Sequence, residues 1–411
     1  MTNRQVSARC AIAGGGPAGI MLGFLLARAG LPVIVLETHA DFLRDFRGDT
    51  IHPSTLEIMH ELGLLDEFLK LPHQEVDHLT VQVGDEKIPF ADLSHLPTRC
   101  RFLALMPQRD FLNFIAQQGK HYPGFDLRMR AKVTDLIEEG GHIAGLRTAT
   151  PEGYLEVRAN LVVGADGRNS TVRERAGLKI DEIGAPMDVL WFGISREPND
   201  PEEIMGRFDR GRIFIMINRG DRWQCGVVIA KGSLEQIHRR GLEAFRNTLA
   251  MLAPFLGNRT GELKEWDDIK LLTVRVDRLP RWHRPGLLCI GDAAHAMSPV
   301  GGVGINLAIQ DAVAAANLLA EPILENRLKE DHLHQVQRRR ERAARVTQWM
   351  QVQVQNRVIT RVLGTGGTIT APRILRLFGR YPFLRRIPAR LIGMGWRPEH
   401  VTASVLRPHR P

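Results

Sequence analysis

Gly14, Gly16 and Gly19 stand in the pattern Gly-x-Gly-x-x-Gly, directly after an apolar run and with Pro17 and Ala18 inside it. Residues of this type at this spacing can hold a phosphate without any charged side chain. One glycine permits a tight turn, the second lets the backbone approach a pyrophosphate, and the third lets a helix pack on the preceding strand. The helix that follows would offer free N–H groups and the positive end of its dipole. Glu37 ends the next apolar run, PVIVL at residues 32–36. Its carboxylate can accept hydrogen bonds from both ribose hydroxyls, which suits a ribose lacking a 2′-phosphate. The motif alone leaves FAD and NAD both open.

Two further stretches end an apolar run on an acid. Residues 161–173, LVVGADGRNSTVR, run into Asp166 and Gly167, with Ser170 placed to cap a helix. Residues 287–308, LLCIGDAAHAMSPVGGVGINLA, run into Gly291 and Asp292, then a Pro/Gly loop, then a helix from about Ile305. Each alone also reads as a strand-to-turn junction in which an Asp holds local N–H groups.

The elements that must position these residues begin with a βαβ unit: strand 8–13, a helix over 20–30 stopped by Gly30, and strand 32–36. Residues 10–27 are uncharged and of span-like length, but five glycines and Pro17 would weaken a membrane helix badly. A secretory leader is not expected either, because the run lacks an uninterrupted apolar core and flows directly into another strand-like segment. At 411 residues the chain exceeds one compact core, so two domains are expected. Apolar content of 44% and charged content of 25% are ordinary for a globular chain. The net charge of +9 is compatible with anionic ligands, anionic lipid or nucleic acid without choosing among them. Much of it is local: RRR at 338–340, then Arg342, Arg345, Arg357, Arg361 and an Arg-rich tail. This reads as a solvated helix face and a basic tail. Cys10, Cys100, Cys225 and Cys289 are too far apart for a zinc site or redox dithiol, so no metal and a reducing cytoplasm are expected.

The three motifs together, in this order, resemble the class A flavoprotein monooxygenases, the aromatic-ring hydroxylases typified by p-hydroxybenzoate hydroxylase. The resemblance spans residues 11–311. It implies FAD as cofactor, NADPH or NADH as transient co-substrate, and insertion of one oxygen atom from dioxygen into an aromatic or polycyclic molecule through a flavin C4a-hydroperoxide. It implies contact with FAD for Gly14, Gly16, Pro17, Ala18, Gly19, Glu37, Gly291 and Asp292, the last on the ribitol. Asp166 and Gly167 belong to a motif implicated in both FAD and NAD(P)H contact. The loop at 299–306, with Pro299, Gly302, Gly304, Ile305 and Asn306, would lie along the flavin ring. Its amides would stabilise negative charge on reduced flavin. Arg47, Gln108 and Arg109 match further FAD-contact positions. No catalytic side chain is assigned, because the flavin carries the chemistry.

The fold class expected is α/β: a Rossmann-like FAD-binding domain (1–75, 107–180 and 278–345) interleaved with a mixed, mostly antiparallel substrate sheet (76–106 and 181–277). One helix is expected near 234–252, and a helical extension over 346–411. The substrate would sit between that sheet and the flavin loop. Candidates to face it are His52, Trp191, Phe192, Phe214, Met216, Trp223 and Pro299, each of which also reads as plain core or helix-end polarity. His295 reads as structural. The C-terminal stretch pairs apolar residues with arginines at helical spacing. That is compatible with a peripheral membrane contact, or with helices packed on the body with arginines outward. No nucleic-acid partner is expected, and oligomeric state is open. Alternatives on the same fold are a flavin halogenase, whose WxWxIP string is absent, an FAD-dependent reductase of an isoprenoid or quinone-like substrate, and a non-enzymatic flavin-binding module.

Overall fold

In the computed structural model, which describes residues 4–43, 50–201, 205–209, 211–364 and 370–406, the glycine-rich run resolves into strand Arg4–Ala13, helix Pro17–Arg28 and strand Val33–Leu36. All four residues of VIVL are buried, as expected for a parallel strand covered on both faces. The helix starts on proline, whose missing N–H costs nothing there, and buries ten consecutive residues from Ala18 to Ala27. It is apolar all round because it lies inside the protein, not in a membrane. Strand order in the main sheet is His283–Arg284, Leu287–Cys289, Gly153–Gly164, Arg4–Ala13, Val33–Leu36, Phe125–Arg128. The last five are parallel neighbours. Lys132–Glu139 and His142–Thr150 extend Gly153–Gly164 as an antiparallel ribbon.

A second sheet of seven strands runs Lys270–Leu272, Met187–Ser195, Arg222–Ala230, Arg212–Asn218, Met205–Asp209, His78–Val83, Glu86–Asp92. Its pairings are antiparallel except between Met205–Asp209 and His78–Val83. The single helix expected near 234–252 is two, Leu234–Arg240 and Leu242–Leu252. Gly241, at φ +85°, breaks them apart. Strand alternation gives this sheet two different faces. Phe192, Phe214, Met216 and Trp223 share one core with Phe245, Leu249 and Leu252 of the covering helix. Met187, Val189, Ile213 and Val228, with the half-buried Trp191 and Ile215, form the other, and Val300 packs there.

Helix Gly304–Leu324 crosses the interior. Residues Val300–Leu324 are long and apolar enough to span a bilayer, yet 78% of their apolar 18-residue window is buried inside the protein. Helix Glu330–Val354 packs against it and continues through a π-turn, Gln355–Ile359, into Thr360–Leu363. The boundary expected at 345/346 therefore falls inside an unbroken helix. The basic run at 338–340 is not a uniformly solvated face either. Arg340 is 1% exposed, its Nε donating to Asp311 Oδ1 at 2.9 Å and its Nη1 within 3.4 Å of Glu399. A buried carboxylate on the neighbouring helix needs a buried cation, and that requirement overrides the usual solvation of arginine. Beyond residue 370, helices Arg373–Arg380 and Arg386–Gly393 pack against the edge strand Glu86–Asp92.

Candidate functional site

Four parallel neighbours in the main sheet end on the candidate residues. Gly14 follows Ala13, Ala165 and Asp166 follow Gly164, Gly291 and Asp292 follow Cys289 and Ile290, and Glu37 follows Leu36. Register aligns these ends: Ala13 pairs with Gly164 and Leu36, and Gly164 pairs with Cys289. Stretches scattered over 280 residues of sequence thus meet at one carboxyl edge, where open α/β sheets bind ligands. The Gly14 N–H donates to Leu36 O (2.8 Å), the Ala165 N–H to Ala13 O (2.8 Å), and the Ile290 N–H to Gly164 O (2.9 Å).

The three glycines divide by cause. A Cβ on Gly14 (φ +101°) would lie 2.4 Å from Ala165 O, and one on Gly19 would lie 1.9 Å from Gly14 O. Both are required by the protein itself. Gly16 is not: its φ of −72° suits any residue, and a Cβ there would meet nothing within 4 Å. It is the residue before helix Pro17–Arg28, which has no side-chain cap and no acid in its first turn. A glycine with no steric or conformational demand, at an uncapped helix N-terminus, fits a close-lying anionic group such as a dinucleotide pyrophosphate. Gly291 (φ +60°) brings the third motif against this helix, a Cβ there standing 3.2 Å from Ala18 Cβ. Glu37 is buried, and its Oε2 accepts from the Gly15 N–H (3.0 Å) while Oε1 accepts from the His39 N–H (2.9 Å). Oε1 also meets His39 Nδ1 at 2.7 Å, so the carboxylate is held in place at the end of its strand.

The two aspartates differ. Asp166 is committed inside the fold: it accepts from Ser170 Oγ and from the Val172 N–H (3.1 Å), and so fixes the start of helix Thr171–Arg175. Burial pushes its carboxyl above the ordinary value, against those donors. The helix start at Ser170 is as expected, its Oγ accepting from the Arg173 N–H. Asp292 is about one-third exposed and pairs with Arg168 at 3.1 Å, leaving it open toward a ligand. Arg173, which sequence reasoning did not single out, ties the two motifs together: its guanidinium donates to Ala293 O (3.0 Å) and Arg168 O (2.7 Å).

The Pro/Gly loop is held from three sides. Gly301 and Gly302 take φ of +80° and +62°, and helix Gly304–Leu324 then begins with no side-chain cap and no acid in its first turn. Asn306 Oδ1 accepts from Ser54 Oγ (2.9 Å) and Thr55 Oγ1 (2.7 Å), so its side chain serves the fold. His52 is fully buried between Gly302 O (Nε2, 3.1 Å) and Ile392 O (Nδ1, 2.6 Å). Burial pulls its pKa down, against the two carbonyls that raise it. It props the loop from behind and does not face an open pocket, which corrects its assignment to the substrate. His295 is structural as expected: its Nε2 meets Asp311 Oδ2 at 2.6 Å, and that oxygen also accepts from the Gly291 N–H (3.1 Å).

The third support was missed from sequence. Gln337, Gln348, Gln351 and Gln355 lie on one face of the helix running from Glu330, and all are buried. Gln351 Nε2 donates to Ser298 O and Val300 O (both 2.9 Å) while its Oε1 accepts from the Ser298 N–H (3.2 Å). Gln355 donates to Ser298 Oγ, Gln348 to Asp277 O (2.7 Å) and Ala296 O (3.0 Å), and Gln337 to Pro280 O (2.8 Å). This ladder supplies partners to backbone groups of the loop at Ala296–Val300 and of the neighbouring segment at Asp277 and Pro280. The signal was available: spacings of 11, 3 and 4 place these glutamines on one helical stripe.

Among the substrate candidates, Trp191 lies on the sheet face that meets Val300. Its ring covers Gly226, where a Cβ would stand 2.9 Å from Trp191 Cζ3, and its Nε1 is shielded from solvent without a partner among the described residues. Phe192, Phe214, Met216 and Trp223 are packed under helix Leu242–Leu252 on the opposite face. That is a correction: strand parity sends alternate residues away from the loop. Gln108 opens helix Gln108–Gly119, and Arg109 beside it is exposed, with Nε 3.3 Å from Asp110. Arg47 lies outside the described residues.

Residues 7–350 match the family described as FAD binding domain. A 6-methylpretetramide 4-monooxygenase of Streptomyces rimosus is 32% identical over 388 residues, covering 92% of this chain and 91% of that protein. A para-nitrophenol 4-monooxygenase of Pseudomonas sp. (strain WBC-3) is 26% identical, covering 75% and 76%. The crystal structure of p-nitrophenol 4-monooxygenase PnpA from Pseudomonas putida DLL-E4 superposes with a TM-score of 0.75 at 20% identity, covering 99% of this chain and all of that one.

Proposed function

The chain belongs to the FAD binding domain family, among the class A FAD-dependent aromatic hydroxylases, and from that premise we propose how its residues divide the work and what ring they receive. It is an FAD-dependent monooxygenase that consumes NAD(P)H and inserts one oxygen atom from dioxygen into an aromatic or polycyclic molecule. The reductase alternative is not favoured beside relatives named as monooxygenases. FAD, when bound, accepts hydride and activates dioxygen.

The chain's own residues bind, orient and exclude water. In this reading the Gly14–Gly19 turn and the start of helix Pro17–Arg28 hold the pyrophosphate, with Glu37 on the ribose and Asp292 on the ribitol. Arg47, Gln108 and Arg109 are further contacts, and Gly167 belongs to the same edge. The amides at Gly304 and Ile305, at an uncapped helix start, stabilise negative charge on the ring. Residues 1–75, 107–180 and 278–345 form the FAD-binding part, with the long helix from Glu330 belonging to it whole. A cytoplasmic location and a peripheral membrane contact by the C-terminal helices belong to the same reading.

The substrate lies between the Pro/Gly loop and the sheet face carrying Trp191. The relative named for 6-methylpretetramide covers nearly the whole chain, which supports a fused polycyclic ring resembling that compound. The observation that carries the substrate assignment is the unpartnered Trp191 indole N–H on this face. A shielded donor without an acceptor costs about 1–3 kcal/mol unless a ligand supplies one. Trp191→Phe keeps the ring and removes the donor. The expected result is a KM about fivefold higher with kcat little changed, since one neutral hydrogen bond is worth about 1 kcal/mol. An unchanged KM for a ring that stimulates NAD(P)H oxidation would remove Trp191 from the substrate site.

A further inference from the structure

We infer that the surface of residues 373–397 is a docking face for an anionic lipid bilayer. Between positions 370 and 398 the chain carries seven arginines and no lysine, aspartate or glutamate. Helix Arg373–Arg380 buries none of its residues fully. Its inner side rests on the edge strand through Leu375 and Gly379, the latter against Ile88. Its outer side leaves large apolar groups in solvent: Ile374 is 55% exposed and Leu377 42%, followed by Phe383 at 63% and Ile387 at 57%. Ile374, Leu377 and Tyr381 follow one another at helical spacing. Arg373, Arg376 and Arg380 form the adjacent stripe, so cations flank the apolar row on one side. Packing on the protein body explains Leu375, Ala389 and Met394, which are partly or wholly buried, but not the outward row.

An apolar row bordered by arginines is the pattern of a helix lying in a membrane interface. The alternative occupant, a second copy of this chain in a two-fold contact, would set the exposed arginines of this surface, Arg373, Arg376, Arg380, Arg386 and Arg390, against themselves. Few acids on this face could offset them: Arg376 stands 3.8 Å from Glu86, and Arg386 faces His95. Phosphate and carboxylate headgroups do offset them, and bidentate donation from guanidinium suits phosphate. The arrangement would bring a lipophilic ring compound to the protein from the bilayer. This deepens the membrane contact proposed above, and its test is independent of the oxygenation chemistry.

The experiment is co-sedimentation of the FAD-loaded full chain with phosphatidylcholine vesicles, with and without phosphatidylglycerol, at low and high salt. Two variants accompany it. Arg373→Gln/Arg380→Gln/Arg390→Gln removes charge, and Ile374→Ser/Phe383→Ser removes outward apolar groups. All five positions are exposed, and unchanged melting and flavin absorbance verify the fold. Expected is binding to phosphatidylglycerol vesicles, weakened by salt, and weaker by about fivefold per arginine removed, with loss in the apolar variant as well. No sedimentation with either vesicle would overturn the inference, as would equal binding by the charge variant. Self-association abolished by the same substitutions, without vesicle binding, would overturn it in favour of a second copy. Wild-type NAD(P)H oxidation with a soluble ring compound in both variants would keep the enzyme assignment separate from this result.

Discussion

Replacing Gly16 by alanine separates a glycine kept for the ligand from glycines kept for the fold. The added methyl meets nothing within 4 Å, and the backbone at φ −72° and ψ −175° accepts alanine. Alanine is a poorer helix N-cap than glycine by about 0.5–1 kcal/mol. Reduced freedom of the unfolded chain returns about 0.4–1 kcal/mol. The two nearly cancel, so the FAD-free protein should melt within about 2 °C of wild type. Gly19→Ala is the control: its methyl would lie 1.9 Å from Gly14 O. That clash of the methyl with a backbone carbonyl has no flexible side chain to relieve it, and costs about 3 kcal/mol or more. FAD affinity should fall in both, but in Gly16→Ala without loss of stability. Two charge-assisted hydrogen bonds displaced from a pyrophosphate amount to about 3 kcal/mol, or more than about a hundredfold in Kd. Calorimetric melting of FAD-free protein and a flavin fluorescence titration measure the two effects. Gly16 is not kept for the ligand if Gly16→Ala binds FAD as wild type does, or if it destabilises the FAD-free protein as much as Gly19→Ala.

Gln351→Leu strips partners from Ser298 and Val300, and should cost about 2–4 kcal/mol in urea unfolding. Faster amide exchange should concentrate in peptides over residues 296–304, and a uniform rise across the chain would contradict the positioning role. Arg340→Ala leaves Asp311 and Glu399 short of a buried partner and should cost about 3–5 kcal/mol. An effect under about 1 kcal/mol would show the network to be dispensable. The Arg259 guanidinium, bonded to both oxygens of Asp200, pulls that carboxyl down to about 2 despite burial. Because the folded value lies below the unfolded one, this stability is present above about pH 4 and lost as the pH falls toward 2. It amounts to about 2 kcal/mol. Unfolding of wild type and Asp200→Asn between pH 6 and pH 2 should show a shallower acid loss in the variant.

What was legible in the sequence was whatever local chemistry dictates. Glycine spacing, terminal acids and apolar runs located the four strand ends, because each depends on residues within a few positions of itself. The Ser170 cap and the structural role of His295 were readable for the same reason. What failed depended on orientation. Phe214 and Met216 look as suitable for a pocket as Trp191, and only strand parity, set by pairing across the sheet, sends them to the helix-covered side. Arg340 reads as solvent-facing until Asp311, twenty-nine positions away, is placed beside it. Buried His52 has a hydrogen-bond partner in Ile392 O, 340 positions distant. The glutamine ladder is a periodicity in polar residues, which reads as a solvated helix face until the loop at Ser298 and Val300 is placed against it.

As an FAD-dependent monooxygenase, this chain transfers one atom of dioxygen to a ring. The most direct measurement is mass spectrometry of products from FAD-loaded protein, NAD(P)H and a panel of phenols, quinols and fused polycyclic aromatics under isotopically labelled dioxygen. At least one ring compound should accelerate NAD(P)H oxidation and gain a single labelled oxygen. Reduced product free of label, formed from an isoprenoid or quinone-like compound at the expense of NAD(P)H, would mark a reductase instead.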